Sequence, residues 1–467
     1  MLPDPPIKKE TFRDSIATVD KEGKRKWIYP VKPSGRLYNH RKYLSYLYLV
    51  VFFTLPFITV NGEPLFMFNV IQRKFILFGM IFWPQDFFIF GIGMLTFIVF
   101  IALFTVIFGR VFCGWACPQT IFMEMLFRRI EYWVIGDAAH QRAMKKMPWN
   151  RKKITRSAIK FTLFFILSFI IANTFLSYII GVKEVFKFLT GGPQQHPGGF
   201  ISLLVFTTVF FFVYSWFREQ VCIIVCPYGR MQGVLLDRES IVVAYDYMRG
   251  EPRRKFTKDT TVERGDCIDC AACIKVCPTG IDIRNGTQLE CINCTACIDA
   301  CDHIMNSVKL PRGLIRMDSE KGIAEKKKLR FTARMKAYSV VLLLLLGLES
   351  ALLLTRTDYD ATILRAKGLL YQERPNNEVS NLYTIKLVNK TRENLPVELK
   401  LENADGRVEI MGKSLAVKSE DVSMGQFFVY LSKPAISQRK TKIKIGIYSG
   451  DKKIKTVTTS FLGPVNN

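Results

Sequence analysis

The stretches CIDCAACIKVCP (Cys267–Pro278) and CINCTACIDACD (Cys291–Asp302) share one pattern: three cysteines separated by two residues each, then a fourth after three more. This is the bacterial ferredoxin spacing for [4Fe–4S] clusters, given twice. Three thiolates so placed let one tight loop wrap three corners of a cubane. The fourth corner is reached by the remote cysteine of the other run, so the two runs interlock. The spacing assigns Cys267, Cys270, Cys273 and Cys301 to one cluster and Cys291, Cys294, Cys297 and Cys277 to the second. Tetrahedral zinc wants two CxxC pairs rather than a third cysteine at regular spacing, and two complete copies argue against it. Asp302 stands where a simple ferredoxin places a second proline, which leaves the turn after Cys301 open. Such clusters pass single electrons, and the many Lys and Arg of the surrounding loop favour the more negative, reduced state.

The other four of the twelve cysteines form two further pairs, in GRVFCGWACPQT (Gly109–Thr120) and EQVCIIVCPYGR (Glu219–Arg230). Each follows a long apolar run. Cys113 and Cys117, like Cys222 and Cys226, have the spacing that shares one helical face, and Pro118 and Pro227 push the residue before them out of helical geometry. Each pair therefore sits at the end of a membrane span, and four thiols meet if those spans are neighbours. Four readings compete: small buried residues at helix ends, a further thiolate-ligated cluster of atypical spacing, a soft-metal site for Cu(I), or a dithiol relay. Repetition of Cys-x-x-x-Cys-Pro argues against the first. A copper-handling or redox site is favoured over a third cluster, with Cys113, Cys117, Cys222 and Cys226 as its thiols. The four histidines, His40, His140, His196 and His303, form no pair inside a span, which weakens any membrane-haem reading.

The composition is 49% hydrophobic with 37 Phe, yet the formal charge is +26. Soluble basic proteins rarely combine the two; a membrane protein with basic flanks does. Lys and Arg cluster beside apolar runs, as in MKKMPWNRKKITR (Met144–Arg156) and AEKKKLRFTARMK (Ala324–Lys336), so contact with anionic lipid is expected and nucleic-acid binding is not. Five segments, roughly 43–60, 87–109, 159–181, 198–217 and 337–355, approach the ~20 apolar residues a bilayer needs. KFILFGMIFW (Lys74–Trp83) is too short to span and is expected at the interface or re-entrant. No cleavable signal sequence is expected in residues 1–42, which are polar. Segments 1–42, 110–158 and 218–336 carry 11, 10 and 21 Lys+Arg, against two each in 61–86 and 182–197. The positive-inside rule places the first three in the cytoplasm, where spaced cysteines are metal or redox ligands rather than disulfides.

The expected chain order is a cytoplasmic segment 1–42, a four-span membrane domain 43–217, a cytoplasmic region 218–336 with a ferredoxin domain at about 258–310, a fifth span 337–355, and an outer domain 356–467. That outer domain has no cysteine. Its runs LYTIKLVNKT, PVELKLEN, GQFFVYLSKP, TKIKIGIYSG and KIKTVTTSFLG alternate β-branched or aromatic residues between turn signals, which predicts an immunoglobulin-like β-sandwich. The fold class is therefore multi-domain: an α-helical membrane bundle, an inserted 2[4Fe–4S] ferredoxin domain and a C-terminal all-β sandwich.

The order GKRKWIYP…PSGR, FWPQDFF, GRVFCGWACPQT, FRRIEYWVIGD, CPYGRMQG, the double ferredoxin run and PRGLIR resembles the FixG-type cytochrome c oxidase accessory proteins, membrane-bound polyferredoxins, over essentially the whole chain. The family resembles this sequence at Asp302 too. The resemblance implies assembly of a cbb-type haem–copper oxidase in a bacterial inner membrane, through reduction of Cu(II) to Cu(I), a cupric reductase-like activity. It implies oxidase subunits, copper chaperones or copper transporters as partners, the C-terminal domain in the periplasm, and an electron donor of flavoprotein, ferredoxin or quinol type. A quinol dehydrogenase-type subunit, as in periplasmic nitrate reductase systems, and a non-enzymatic iron–sulfur scaffold are the alternatives.

Overall fold

A computed structural model describes residues 17–20, 22–60, 62–70, 74–78, 80–82, 87–255, 264–326, 332–366, 370–391, 393–412, 415–419, 421–436 and 438–464. Several stretches read above fall partly outside these: residues 1–16 of the first segment, 83–86 of FWPQDFF, 258–263 of the ferredoxin region and 327–331 of the second basic run. The chain forms two compact units, Met1–Glu349 and Ser350–Asn467.

Among the described residues, four helices are long and apolar enough to cross a membrane: Phe88–Phe108, Arg151–Ile180, Pro197–Phe217 and Ala333–Leu354. The remaining expected span, 43–60, is part of the helix Arg36–Thr54. It starts earlier because Asp299 accepts hydrogen bonds from the N–H groups of Leu37 (3.2 Å) and Tyr38 (2.7 Å), satisfying donors that a helix start leaves orphaned. It stops earlier because Pro56 enters a 3₁₀ turn, Leu55–Phe57. Its apolar part still exposes Leu47, Val50 and Val51.

Two connections carry regular structure that the sequence reading did not assign. The stretch expected at the interface or re-entrant supplies two strands, Lys74–Leu77 and Met80–Phe82, of a three-stranded antiparallel meander with Phe66–Asn69. The alternation around Ile76 buries that side chain against Met67, and period two suits a strand, not a helix. The expected outer loop 182–197 is largely a helix, Val182–Gln195, bent where Gly192 takes φ 61° before Pro193.

The long helices pack through rings: Phe127 stacks on Tyr214 at 4.3 Å and meets Phe164 edge-on at 4.9 Å. Met123–Phe127, Val213–Phe217 and Val221–Val225 are π-helical. Such wide turns redirect side chains and recur at functional sites; the last of them contains Cys222.

The cysteine-rich segment is closed by a strand pair, Val242–Tyr245 with Ile315–Asp318. Its two loops are an internal repeat at an offset of 24 residues, and the backbone repeats too. Asp269 and Asn293 both take φ 51°, and Ala271 (55°) matches Thr295 (63°). Helices follow at Ala272–Val276 and Ala296–Ser307. The second runs straight through Asp302, whose carboxylate accepts from Gly313 N–H at 2.9 Å. There is no turn after Cys301: the aspartate continues the helix and pins the PRGLIR loop.

The second unit is all-β. One sheet orders Gly406–Ile410, Val422–Ser432, Glu378–Asn389 and Tyr359–Arg365, with Gln372–Arg374 beside Glu378–Asn389; another orders Glu398–Leu401, Lys440–Ser449 and Lys452–Leu462. Tyr383, Ile385, Phe427, Val429, Ile443, Ile445 and Phe461 are fully buried in their common core. Tyr383 O–H donates to Ser460 C=O at 2.9 Å and Asn381 brackets the Leu462 backbone, so polar groups join the sheets where a disulfide would otherwise serve. Phe427, stacked on Tyr383 at 5.5 Å, anchors this core. Phe427→Ala should destabilise the domain by about 3–5 kcal/mol, seen as a lower melting midpoint of its β-sheet signal. An unchanged midpoint would remove the core from this role.

Candidate functional site

All twelve cysteines are free thiols. A cavity in the first ferredoxin loop is lined by Cys267, Cys270, Cys273 and Cys301, with Tyr245 and Arg284 at its wall. The Cys301 thiol is pushed up to about 12, first by burial and then by Cys273, Cys267 and Cys270. Around the second loop, burial pushes Cys291 to about 12 and Cys294 to about 11, and both feel Cys277 as a near neighbour; Cys297 is raised by burial, then by Cys294, Cys291 and Cys277. Each loop thus gathers three of its own cysteines and one from the other run. Buried thiols surrounded by thiols are costly as separate anions, and a bound cation core removes that cost. Backbone in the left-handed region at four matched positions turns N–H groups inward, as in anion-binding nests. This donor set and shape fit [4Fe–4S] clusters. Among the described residues no three His, Cys, Asp or Glu side chains close on a single ion.

The structure also gathers the other four cysteines. Cys113 lies in the helix Val111–Trp115 and Cys117 caps the next, Pro118–Phe122; Cys222 lies in the π turn and Cys226 caps Pro227–Leu235. In both motifs the proline takes the first helical position, where a missing N–H costs nothing. The pairs therefore straddle helix breaks instead of sharing one helical face. Burial raises Cys113 to about 11 and Cys222 to about 12, and each thiol is further raised by Cys117 and Cys226. Cys113 donates to Gln232 Oε1 at 2.9 Å, and Gln232 Nε2 donates to Thr105 Oγ1 at 3.1 Å.

This thiol group is seated on the second ferredoxin loop. Cys113, Ile292, Cys294 and Ala296 share one buried apolar cluster, with Cys297 and Tyr228 against it. A Cβ at Gly114 would lie 2.3 Å from Ile292 O and 2.9 Å from Cys294 N. Trp115 Nε1 donates to Asn293 O at 3.2 Å, Arg41 Nε to Gly114 O at 2.6 Å, and Arg110 to Leu289 O. Behind the seat lies a buried charge network. Arg218, held at φ 55°, donates to both Glu131 oxygens at 3.0 and 2.9 Å. Arg128 pairs with Glu124 (3.1 Å) and Glu219 (3.5 Å) and donates to Pro278 O, next to Cys277, at 3.1 Å. Arg25 adds a bond to Glu219 at 3.2 Å.

Sequence reasoning missed Gln232, Arg41, Arg110, Asp299 and this Arg–Glu network. Arg110, Arg128, Glu131, Arg218, Glu219 and Gln232 all lie within or beside the quoted motifs, but spacing alone marks cysteines and not their polar supports. The only local signal is charge directly beside an apolar run and a Cys-Pro.

Fold and site together define a membrane-associated iron–sulfur electron-transfer protein with a separate β domain. A 4Fe–4S dicluster family model matches residues 217–320, a 4Fe–4S binding-domain model matches 90–138, and the model for the IG-like fold at the C-terminus of FixG matches 350–464. The chain is 30% identical to protein RdxB of Cereibacter sphaeroides over 450 residues, covering 91% of this chain and 93% of that one. It is 32% identical to RdxA of the same organism over 431 residues, covering 89% and 91%. The nitrogen fixation protein FixG of Rhizobium meliloti is 31% identical over 301 residues, 62% of this chain and 57% of that one. A crystal structure of a FixG-related protein from Vibrio parahaemolyticus covers 23% of this chain and 97% of its own, at 21% identity and TM-score 0.20. The chain belongs to the FixG/RdxA family.

The Gly114 seat is testable: Gly114→Ala forces Ile292 or the helix to move, at a cost of about 1–3 kcal/mol. Lower melting temperature and reduced iron retention on purification are expected. Wild-type values for both would mean that the seat tolerates a side chain.

Proposed function

We propose that this protein reduces Cu(II) to Cu(I) at Cys113, Cys117, Cys222 and Cys226 for the assembly of a cbb-type cytochrome c oxidase. The observation that carries the reading is the seat itself: Cys113 lies in the same buried cluster as Cys294, with Cys297 packed against it, and Cys117, Cys222 and Cys226 are close enough to act on one another or on Cys113. Cys267, Cys270, Cys273 and Cys301 hold one cluster, and Cys291, Cys294, Cys297 and Cys277 the other. When bound, such clusters supply electrons singly, which matches the one-electron step Cu²⁺ + e⁻ → Cu⁺.

The chain's own residues do the rest. Thiolates select Cu(I) among first-row metals, so the soft product is retained where the hard reactant is not favoured. Burial raises the Cys117 thiol, and the Thr120 and Gln119 N–H groups at the start of its helix act against that rise. Gln232 fixes Cys113, and the apolar wall of Ile292 and Tyr228 limits water. The reductant is an external flavoprotein, ferredoxin or quinol. In this reading residues 1–42 and the ferredoxin loops face the bacterial cytoplasm, and the β domain faces the periplasm, where oxidase subunits, chaperones or transporters take up copper.

A second reading has its own observation, since a 4Fe–4S binding-domain model covers Cys113 and Cys117: the four thiols hold a third cluster. One double variant separates the two. With copper as substrate, Cys117→Ser/Cys226→Ser keeps about eight irons per chain, four per cluster, and loses Cu(I) production, read with a chromophoric chelator after anaerobic dithionite reduction. A fall from about twelve irons to about eight assigns a third cluster. Unimpaired copper reduction removes these thiols from the reaction.

The thiol environment also sets a pH dependence. Cys113 and Cys222, raised to about 11 and about 12, are protonated at neutral pH and must release protons to bind metal. Cu(I) affinity should rise about tenfold per pH unit for each proton displaced, measured by chelator competition between pH 6.5 and 7.5. A flat profile would show that capture uses neither thiol.

A further inference from the structure

Five arginines are wholly or mostly buried around the two thiol constellations, and three have carboxylate partners. Arg25, Arg128 and Arg218 share Glu124, Glu131 and Glu219. Arg41 and Arg110 are different. They are 1% and 4% exposed, and among the described residues neither lies in an ion pair. Each makes a hydrogen bond to a backbone carbonyl, at Gly114 and Leu289 respectively. Arg41 Nη2 and Arg110 Nε remain buried without any partner. A buried charge without an opposite charge costs several kcal/mol, so the fold must offer these cations an anion.

Sulfurs are the acceptors these cations act on. Arg41 bears on Cys294, where Glu124, itself paired with Arg128, acts in the opposite sense, and Arg110 bears on Cys291, Cys113 and Cys222. Both therefore face the second ferredoxin loop on its thiol side. Among the described residues the first loop has no such buried surplus: Lys275, which donates to Cys270 O at 3.4 Å, is exposed to solvent. The loop's nearest guanidinium, Arg284, is neutralised by Asp282 at 2.8 Å and Asp269 at 2.6 Å, and Asp302 adds negative charge beside Cys301. The two loops are matched in cysteine spacing and backbone, and unmatched in charge.

Glycines preserve this arrangement. A Cβ at Gly229 would lie 2.8 Å from Arg110 Nη2 and 2.9 Å from Cys222 O. Gly109, with φ 56°, would place a Cβ 2.9 Å from Asn293 Nδ2 and Ile241 O. The chain gives up side chains on both sides to bring one guanidinium between the Cys222 turn and the Leu289 loop.

We propose that Arg41 and Arg110 are positioning charges that raise the reduction potential of the cluster held by Cys277, Cys291, Cys294 and Cys297 above that of its twin, so that electrons collect at the site facing Cys113. Gaining an electron makes a thiolate-ligated cluster more negative, and fixed positive charge in a dry surrounding stabilises that form. The symmetric repeat supplies two equivalent cages; the arginines, which come from other helices, give them a direction. This rests on the two-cluster assignment and not on copper, so it stands or falls separately from the reductase reading.

The test is an EPR-monitored redox titration of the full-length protein in detergent, without copper. The wild type should show two separated midpoints. Arg110→Gln and Arg41→Gln should each shift the higher midpoint to more negative potential and leave the lower one in place. Arg110→Lys, which keeps the charge and loses the fork, should stay near wild type. Coincident wild-type midpoints, unmoved midpoints in both Gln variants, movement of the lower one, or an Arg110→Lys shift as large as that of Arg110→Gln would each overturn the proposal. Iron and labile sulfide are measured in parallel. If a Gln variant loses a cluster, loss of one cluster with both kept in Arg110→Lys and Arg41→Lys supports the charge role; equal loss in the Lys variants overturns it.

Discussion

Much of the first unit depends on one close approach of backbone to backbone, Gly114 against Ile292 and Cys294. A side chain there would stand inside another residue's carbonyl. The contact sets a membrane-edge helix break directly on a ferredoxin loop, and neighbouring bonds are organised to hold it. Trp115 reaches over to Asn293, Arg41 closes on Gly114 itself, and Asn293 in turn accepts from Val243 N–H at 3.2 Å. Asn293 can do this because it adopts the left-handed conformation, which asparagine tolerates better than most residues.

The same economy appears at the helix starts. Asp299, on the helix that carries Cys297 and Cys301, caps the helix Arg36–Thr54 at the N–H groups of its second and third residues, Leu37 and Tyr38. Gly35, with φ 141°, leaves room for that carboxylate, since a Cβ would fall 2.3 Å from Asp299 Cγ. One acid thus joins the ferredoxin loops to the first apolar helix. The Arg–Glu network joins them again through Pro278. Buried ion pairs are a poor source of net stability but a strong source of unique geometry when every partner is fixed. Arg218 shows the requirement: its positive φ is uncommon for a bulky residue, and its two bonds to Glu131 hold it there.

What the sequence disclosed follows from which physical constraints are local. Cluster ligation is local within a run, so spacing revealed Cys267–Cys277 and Cys291–Cys301. Bilayer-length apolar helices are also local, and four are present as read. The extent of the first apolar helix was not legible, because its start is fixed by Asp299, far away in sequence, although Pro56 marks its end. The strands within Lys74–Phe82 were not legible, because a short apolar run has no period long enough to separate a strand from a helix. The convergence of the Cys113 and Cys222 motifs depended on helix packing. Arg41 and Arg110 were invisible for a different reason. In a chain of net charge +26 an arginine beside an apolar run reads as a flank, and only burial separates a flank from a counter-charge.

That distinction bears on how a duplicated motif acquires direction. Two cysteine loops of identical spacing, related by a 24-residue offset and by matched left-handed residues, are not set apart in charge by that spacing. They differ in exposure, Cys270 being exposed where Cys294 is buried, but a difference in fixed charge comes from outside the repeat. Here it comes from the helix Arg36–Thr54 and from the break after the helix Phe87–Phe108, each of which brings one unpaired guanidinium to the same loop. Their hydrogen-bond partners are backbone carbonyls, Gly114 O for Arg41 and Leu289 O for Arg110, which position a cation without neutralising it, whereas Arg284 at the other loop is held by carboxylates that do both. The choice of acceptor, carbonyl or carboxylate, is therefore what separates the charge around two cages of equal cysteine spacing.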